Sequence, residues 1–271
     1  MWTTILSIGL ISRYSFGFLS VLAFLLGSFA FWKKGCEEHY DEHELVDLFL
    51  VTVFSGLLGA RLVYILIHFG EFGVNILYWL SLWSKPGLHW IGFFAGGSLA
   101  FLRFTRKHKW NYFKVFDLAV IGIALAQALV NLGIFLSGSA LGKVTNLPFG
   151  VLFPGSFESR HPIGLYGFFF WLAVFGLLWW LEGKYRRFVW YQKFKGDSLP
   201  GFLSFVYLIS FGLIGAFVSL LSETSLIYYG INLDFVLRIL LVFLGTFGLL
   251  SRSGLVAQLG IDKSLQRFKK K

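Results

Sequence analysis

A single cysteine, Cys36, stands in the 271-residue chain, so no intramolecular disulfide can form. Cysteine and histidine nowhere cluster at the spacing of a metal site, and neither metal nor cofactor is expected. Charge is scarce as well. Charged residues make up 14% of the chain, where soluble domains carry about 25%. Hydrophobic residues make up 56% and the mean hydropathy is +0.71, which excludes an ordinary soluble protein. No segment between the apolar runs is long enough to fold by itself, and there is no internal repeat or low-complexity tract. A cleavable signal peptide is not expected either. The first basic residue is Arg13, and the long apolar run after it ends at Lys33-Lys34 without a small-residue cleavage site.

What remains is a set of long apolar runs. A spanning helix needs roughly 20 apolar residues, and seven segments qualify, at about 14–32, 45–68, 87–104, 115–136, 161–182, 200–221 and 232–250. The predicted fold is an all-α integral membrane protein, a bundle of seven transmembrane helices forming one domain over 1–271. The net charge of +10 does not point to nucleic acid, because its distribution follows the membrane. Of the 24 Lys and Arg, 18 fall in the segments 33–44, 103–114, 183–199 and 251–271. The other side holds only Arg13, Lys85, Lys143 and Arg160. The positive-inside rule then puts the N-terminus outside, the C-terminus in the cytoplasm, and loops 69–86, 137–160 and 222–231 outside. The basic tail 251–271 is suited to anionic lipid on the cytoplasmic face.

Polar residues inside or beside the spans carry the functional question. The stretch Leu125 to Pro154 starts as an apolar helix with Gln127 and Asn131 on one face. It then opens through Gly133, Gly138 and Gly142 into a polar loop with Lys143, Asn146, Pro148 and Pro154. Amides in a bilayer face a helix partner or a polar cavity. Two readings stay open: a site for a lipid head group, or a packing helix followed by an ordinary loop. Arg61 lies within the second span, where it can snorkel or grip a phosphate, and Gly56 and Gly59 beside it permit close packing. His89 sits at the membrane boundary, as a general base or a plain hydrogen-bonding residue, and Gly96-Gly97 follow it. Arg13 and Tyr14 have the character of interfacial anchors. Arg160 and His161 precede Pro162, which suits a first helical turn. In the seventh span Asp234 and Arg238 form an i,i+4 pair that neutralises itself.

The motifs Arg13-Tyr14, GARL at Gly59 to Leu62 and RHPxxLY at Arg160 to Tyr166 give the chain a family likeness. Its strongest part is the run Val130 to Gly142 with Thr145 to Pro154, which lies without gaps on G-R-x-G-N-F-x-N-G-E-x-x-G and T-D-L-P-x-G-V-x-F-P. In these the chain resembles the prolipoprotein diacylglyceryl transferases, seven-helix enzymes of the bacterial inner membrane. The resemblance implies a phosphatidylglycerol donor and a prolipoprotein signal segment as acceptor, with glycerol phosphate released. Glycines 133, 138 and 142 are kept. The pattern's arginine, however, is Asn131 here, its asparagines are Ile134 and Ser137, and its glutamate is Ser139. A sixth-span tyrosine, arginine and glutamate correspond to Phe211, Gly215 and Ser219. The pattern's histidine before two glycines matches His89, or in another register Ala95; the first keeps an imidazole at the membrane boundary.

From these departures the expected function is a family member that binds an anionic phospholipid and a lipoprotein signal segment, its chemistry changed or lost, a pseudoenzyme. The alternative is an active transferase with His89 as base. Lipid-binding candidates are Tyr14, Arg61, Asn131, Gly138, Gly142, Arg160 and His161, with the head group between Arg61 and the 137–142 loop. A solute transporter is disfavoured, because no charged relay crosses several helices. The topology generates the first test. A reporter fused after Lys271 should be cytoplasmic and one near Val144 external; an external C-terminal reporter would break the seven-span arrangement.

Overall fold

The computed structural model describes residues 9–73, 79, 87–153, 156–185, 200–223, 227–228 and 231–253. Lys85, Pro154 and the basic tail from 254 onward lie outside the described residues, as does the side chain of Tyr14. The elements are α1 (Gly9–Glu37), α2 (Glu42–Ile67), α3 (Phe69–Phe72), α4 (Trp90–Lys107), α5 (Tyr112–Ser137), α6 (Ile163–Tyr185), α7 (Phe202–Leu221) and α8 (Leu233–Ser253). Two short antiparallel strands, β1 (Ile227–Tyr228) and β2 (Ile231–Asn232), link α7 to α8. Each expected span falls on a helix, with ends shifted by a few residues. Among the described residues six helices are long and apolar enough to cross a membrane, and the protein is a multi-pass membrane protein. The expected span at 87–104 is α4, which is not among those six. Its 18 residues carry Arg103, Arg106 and Lys107 near the end, leaving an uncharged stretch of about 20 Å.

Two compact units divide the chain, one of residues 1–31 and 116–271, the other of residues 32–115. The second is built on the pairing of α2 with α4. Glycine makes that pairing possible: a Cβ on Gly59 would run into the Gly92 carbonyl and one on Gly92 would sit 2.8 Å from the Ala60 Cα. The two backbones therefore touch directly, as small residues allow between helices in lipid. Asp41 caps α2, its Oδ1 accepting from His43 N at 2.9 Å and Glu44 N at 3.0 Å. Glu42 and Glu44 complement the same helix end. The mixed-charge 33–44 stretch is a connector only at residues 38–41. It is tied to the end of α4 and the start of α5 by Glu38–Lys114 at 2.7 Å, Glu44–His108 at 2.9 Å and the edge-on Tyr40–Trp110 pair.

The first unit packs α7 against α6 and α8. Its least expected feature is the start of α7. Gly201, the residue before the helix, has φ +113° and brings no side chain to satisfy the helix end. Asp117 of α5 does so instead. Its Oδ2 accepts from Gly201 N at 2.6 Å, and its Oδ1 accepts from Ser204 N at 2.7 Å and from the Ser204 hydroxyl. Arg252 of α8 donates to the Pro200 carbonyl at the same place. One carboxylate thus joins the ends of two helices, and a guanidinium brings in a third. Along the lipid-facing sides, side chains such as Phe18, Leu240, Phe243 and Phe247 remain exposed, as expected where the solvent is hydrocarbon. Asp117→Ala removes an ionised acceptor from three donors and is expected to destabilise the fold by about 2–4 kcal/mol. Thermal unfolding in detergent reads this directly. An unfolding temperature equal to wild type would mean that the cap contributes nothing.

Candidate functional site

In the first unit the amides of α5 turn out to face other helices. Gln127 Oε1 accepts from the Tyr207 hydroxyl of α7 at 3.0 Å. Asn131 Nδ2 donates to the Gln127 carbonyl at 2.8 Å, and its Oδ1 fills the space where a Cβ of Gly167 would lie. Asn131 therefore seats α6 on α5. Helix α5 then ends in a Schellman turn, with Gly138 N bonded to the Phe135 carbonyl and Ser139 N to that of Ile134. Gly138 has φ +64°, which explains the glycine without a ligand.

Beyond it the loop is strapped down by backbone pairing. Lys143 N donates to the Leu221 carbonyl at 2.8 Å and His161 N to that of Lys143 at 3.1 Å. Val151 and Arg160 exchange both bonds at 3.0 Å. Gly142 lies against His161, where a Cβ would be 2.7 Å from that of the histidine. The close approach that this glycine allows is to the chain itself. Arg160 is the fastener of the loop. Its Nη1 donates to the Gly142 carbonyl at 3.2 Å and pairs with Glu223, while its Nε donates to the Ser156 hydroxyl at 3.2 Å. Beside it the His161 Nδ1 meets the Tyr166 hydroxyl at 3.3 Å. Asn131, Gly138, Gly142, Arg160 and His161 are thus gathered at one end of this unit.

A further cation belongs to the same unit. Arg238 of α8 holds its guanidinium 4.8 Å from the Phe211 ring centre, and its side chain occupies the place a side chain at Gly215 would need. Asp234 lies one turn back on the same helix and acts on Arg238 as the i,i+4 pairing implied, and only the packing against α7 was not foreseen.

Arg61 and His89 belong to the second unit. Arg61 is buried; its Nε donates to the Trp79 carbonyl at 2.9 Å and its Nη1 to that of Gly87 at 3.1 Å, over the Phe72 ring. His89 is drawn to the same helix, its N–H donating to the Ala60 carbonyl at 3.0 Å. Its Nδ1 accepts from Ile91 N at 3.3 Å and so caps α4. A backbone N–H can only donate, so Nδ1 holds the lone pair of the neutral ring and is already engaged. Among the described residues no group of His, Cys, Asp and Glu could hold a metal ion. Sequence reasoning passed over Asp117, whose signal was simply an acid in an apolar run.

A family model described as prolipoprotein diacylglyceryl transferase matches residues 3–251. Relatives named phosphatidylglycerol–prolipoprotein diacylglyceryl transferase include one from Thermosynechococcus vestitus, 27% identical over 252 residues and 90% of each chain. The protein of that name from Bordetella avium is 31% identical over 217 residues, 76% of this chain and 79% of its own. A Clostridium perfringens relative, bearing the same name with the number 2, is 30% identical over 161 residues. That alignment covers 56% of this chain and 58% of the relative.

The geometry gives Arg61 a structural task with a measurable consequence. Arg61→Ala is expected to lower the unfolding temperature in detergent, each carbonyl losing a charged donor at about 1–3 kcal/mol. Arg61→Lys should recover part of the loss. Affinity of the folded fraction for anionic phospholipid should not change. Weakened lipid binding at an unaltered unfolding temperature would return Arg61 to the head group.

Proposed function

The chain belongs to the prolipoprotein diacylglyceryl transferase family, and from that premise we propose that it takes phosphatidylglycerol as donor and the cysteine thiol of a prolipoprotein as acceptor. In this reading it lies in the bacterial inner membrane with its N-terminus outside, and the 138–161 loop meets the outer leaflet. The reaction forms a sulfur–carbon bond at the diacylglyceryl carbon and breaks that carbon's bond to the phosphate oxygen. Glycerol phosphate leaves with the electron pair, and the thiol proton goes to a base. Cations near the phosphate stabilise the departing charge.

The observation that carries the reading is the strapped loop, which holds an imidazole and a guanidinium side by side at one end of the first unit. His161 suits the base better than His89. The Tyr166 hydroxyl can accept as well as donate, so the His161 ring can keep its Nδ1–H and offer Nε2 to a proton. Arg160 supplies positive charge, partly offset by Glu223.

A second reading, lipid and signal-segment binding without transfer, is favoured by Asn131. Where the family pattern has an arginine, this chain has an amide engaged in helix packing.

One experiment separates the two. Purified protein is given phosphatidylglycerol with labelled acyl chains and a membrane-anchored peptide bearing a lipobox cysteine. Transfer predicts a thioether-linked diacylglyceryl peptide, with glycerol phosphate released in equal amount and none from phosphatidylcholine. His161→Gln should slow the step by about 100-fold or more, the usual scale for general base catalysis. Binding of phosphatidylglycerol with no product at saturation would replace transfer by the second reading.

A further inference from the structure

We propose that the apolar tip of the loop between α5 and α6 inserts into the head-group layer of the adjoining leaflet and anchors the loop to the lipid surface. The inference rests on the reading above only for which leaflet is met. Helices α5 and α6 are both long and apolar enough to cross a membrane, so the loop that joins them lies at a membrane face. From Val144 to Phe157 this loop carries no charged residue, although Lys143 and Glu158 stand at either end. Its apolar side chains are mostly turned outward. Val144, Leu147, Phe149 and Leu152 are exposed, and Phe157 is fully so. Single exposed apolar residues are ordinary, but a group of them in one short loop marks a surface that meets lipid or protein.

Slack in the loop does not explain the exposure. Phe153 is buried and meets Phe135 of α5 edge-on, with 6.2 Å between ring centres. The outward side chains sit on backbone that is held. Thr145 N donates to the Ser159 carbonyl at 2.9 Å, and Gly150 N closes a turn on the Leu147 carbonyl at 2.9 Å. Pro148 is the second residue of that turn, where its fixed φ stiffens the corner that presents Phe149. Backbone paired in this way approaches lipid without stranding those N–H groups. The tip is also tethered low. Lys143 N is bonded to the carbonyl of Leu221, the last residue of α7. Leu147 is four residues further on, which at roughly 3.3 Å per residue is a reach of no more than about 13 Å. A tip held so near the end of a span stays within reach of the head-group layer, roughly 5–8 Å deep on each side of the hydrocarbon. The missing charge decides between the two partners such a surface suits. A stiff, uncharged wedge of phenylalanine and leucine matches the boundary of head groups and acyl chains, where no ionic or hydrogen-bonding partner is required of it.

Spin labels read the depth of the tip directly. Cys36→Ser removes the chain's one cysteine, and in that background Phe149→Cys and Phe157→Cys are each labelled with a nitroxide on the full-length protein. Nanodiscs of phosphatidylcholine with phosphatidylglycerol, each holding one protein molecule, exclude a second copy as the partner. At both sites collision with oxygen, which concentrates in lipid, should exceed collision with a water-soluble nickel chelate several-fold. Both side chains are exposed, so the fold does not depend on them; Leu147→Cys replaces either variant should it fail to fold. Adding Phe149→Ser to the protein labelled at 157 should lower the preference for oxygen, whereas Phe149→Leu should keep it. Labels that meet the nickel chelate more often than oxygen overturn the insertion. Labels shielded from both reagents put the tip against protein and overturn it equally. Labels open to water until a membrane-anchored lipobox peptide is added would assign the surface to the acceptor segment instead of lipid. Transfer is read separately. Inserted labels on an inactive protein uphold this inference and count against the proposed function alone, and water-exposed labels on an active protein do the converse.

Discussion

Backbone groups at a helix end have no partner within the helix, and near a bilayer water is a poor substitute. The start of α7 meets this constraint with Asp117, a residue of another helix. Because Gly201 contributes no side chain, the first N–H groups of α7 depend on a carboxylate that α5 must present at the right height. The bond fixes the axial register of α5 against α7. That register decides whether Tyr207 meets Gln127 and whether α6 can seat on Asn131. A polar contact at one end of the unit thereby sets the arrangement at the other, where the 138–161 loop is attached.

Glycine does the complementary work along the spans. Apolar side chains gain little from one another when lipid is just as apolar, so helices associate through backbone proximity and a few polar contacts. In the second unit α2 and α4 touch at Gly59 and Gly92, and Arg61 then ties the segment leading into α4 with bonds to Trp79 and Gly87. In the first unit Gly164 and Gly167 admit α5, while Gly212 and Gly215 admit α8. Gly138 and Gly142 serve the loop in the same spirit, one by its left-handed turn and one by its contact with His161.

The helices were legible in the sequence because hydropathy over about 20 residues is a strong signal, and each apolar run became a helix with only its ends displaced. Close packing at Gly59 and Gly96 was legible too, as was the acidic start of α2. The site was less so. Spacing put Gln127 and Asn131 on one face but could not say that α6 and α7 would meet it. A glycine-rich run has the same appearance whether it serves a ligand, a Schellman turn or a neighbouring strand. His89 and Arg61 are polar residues near a membrane boundary in either reading, and only the bonds to Ile91, Trp79 and Gly87 show what they hold.

Arg238 shows what a one-dimensional pattern misses about packing between helices. Along the chain its partner is Asp234, four residues earlier, and Gly215 reads as a lost arginine. In space the loss and the arginine are the same feature, because the missing side chain at 215 is what admits the guanidinium. A position-by-position comparison scores this as one charge deleted and an unrelated one added. The aromatic ring and the glycine together form the seat that an arginine from α8 requires.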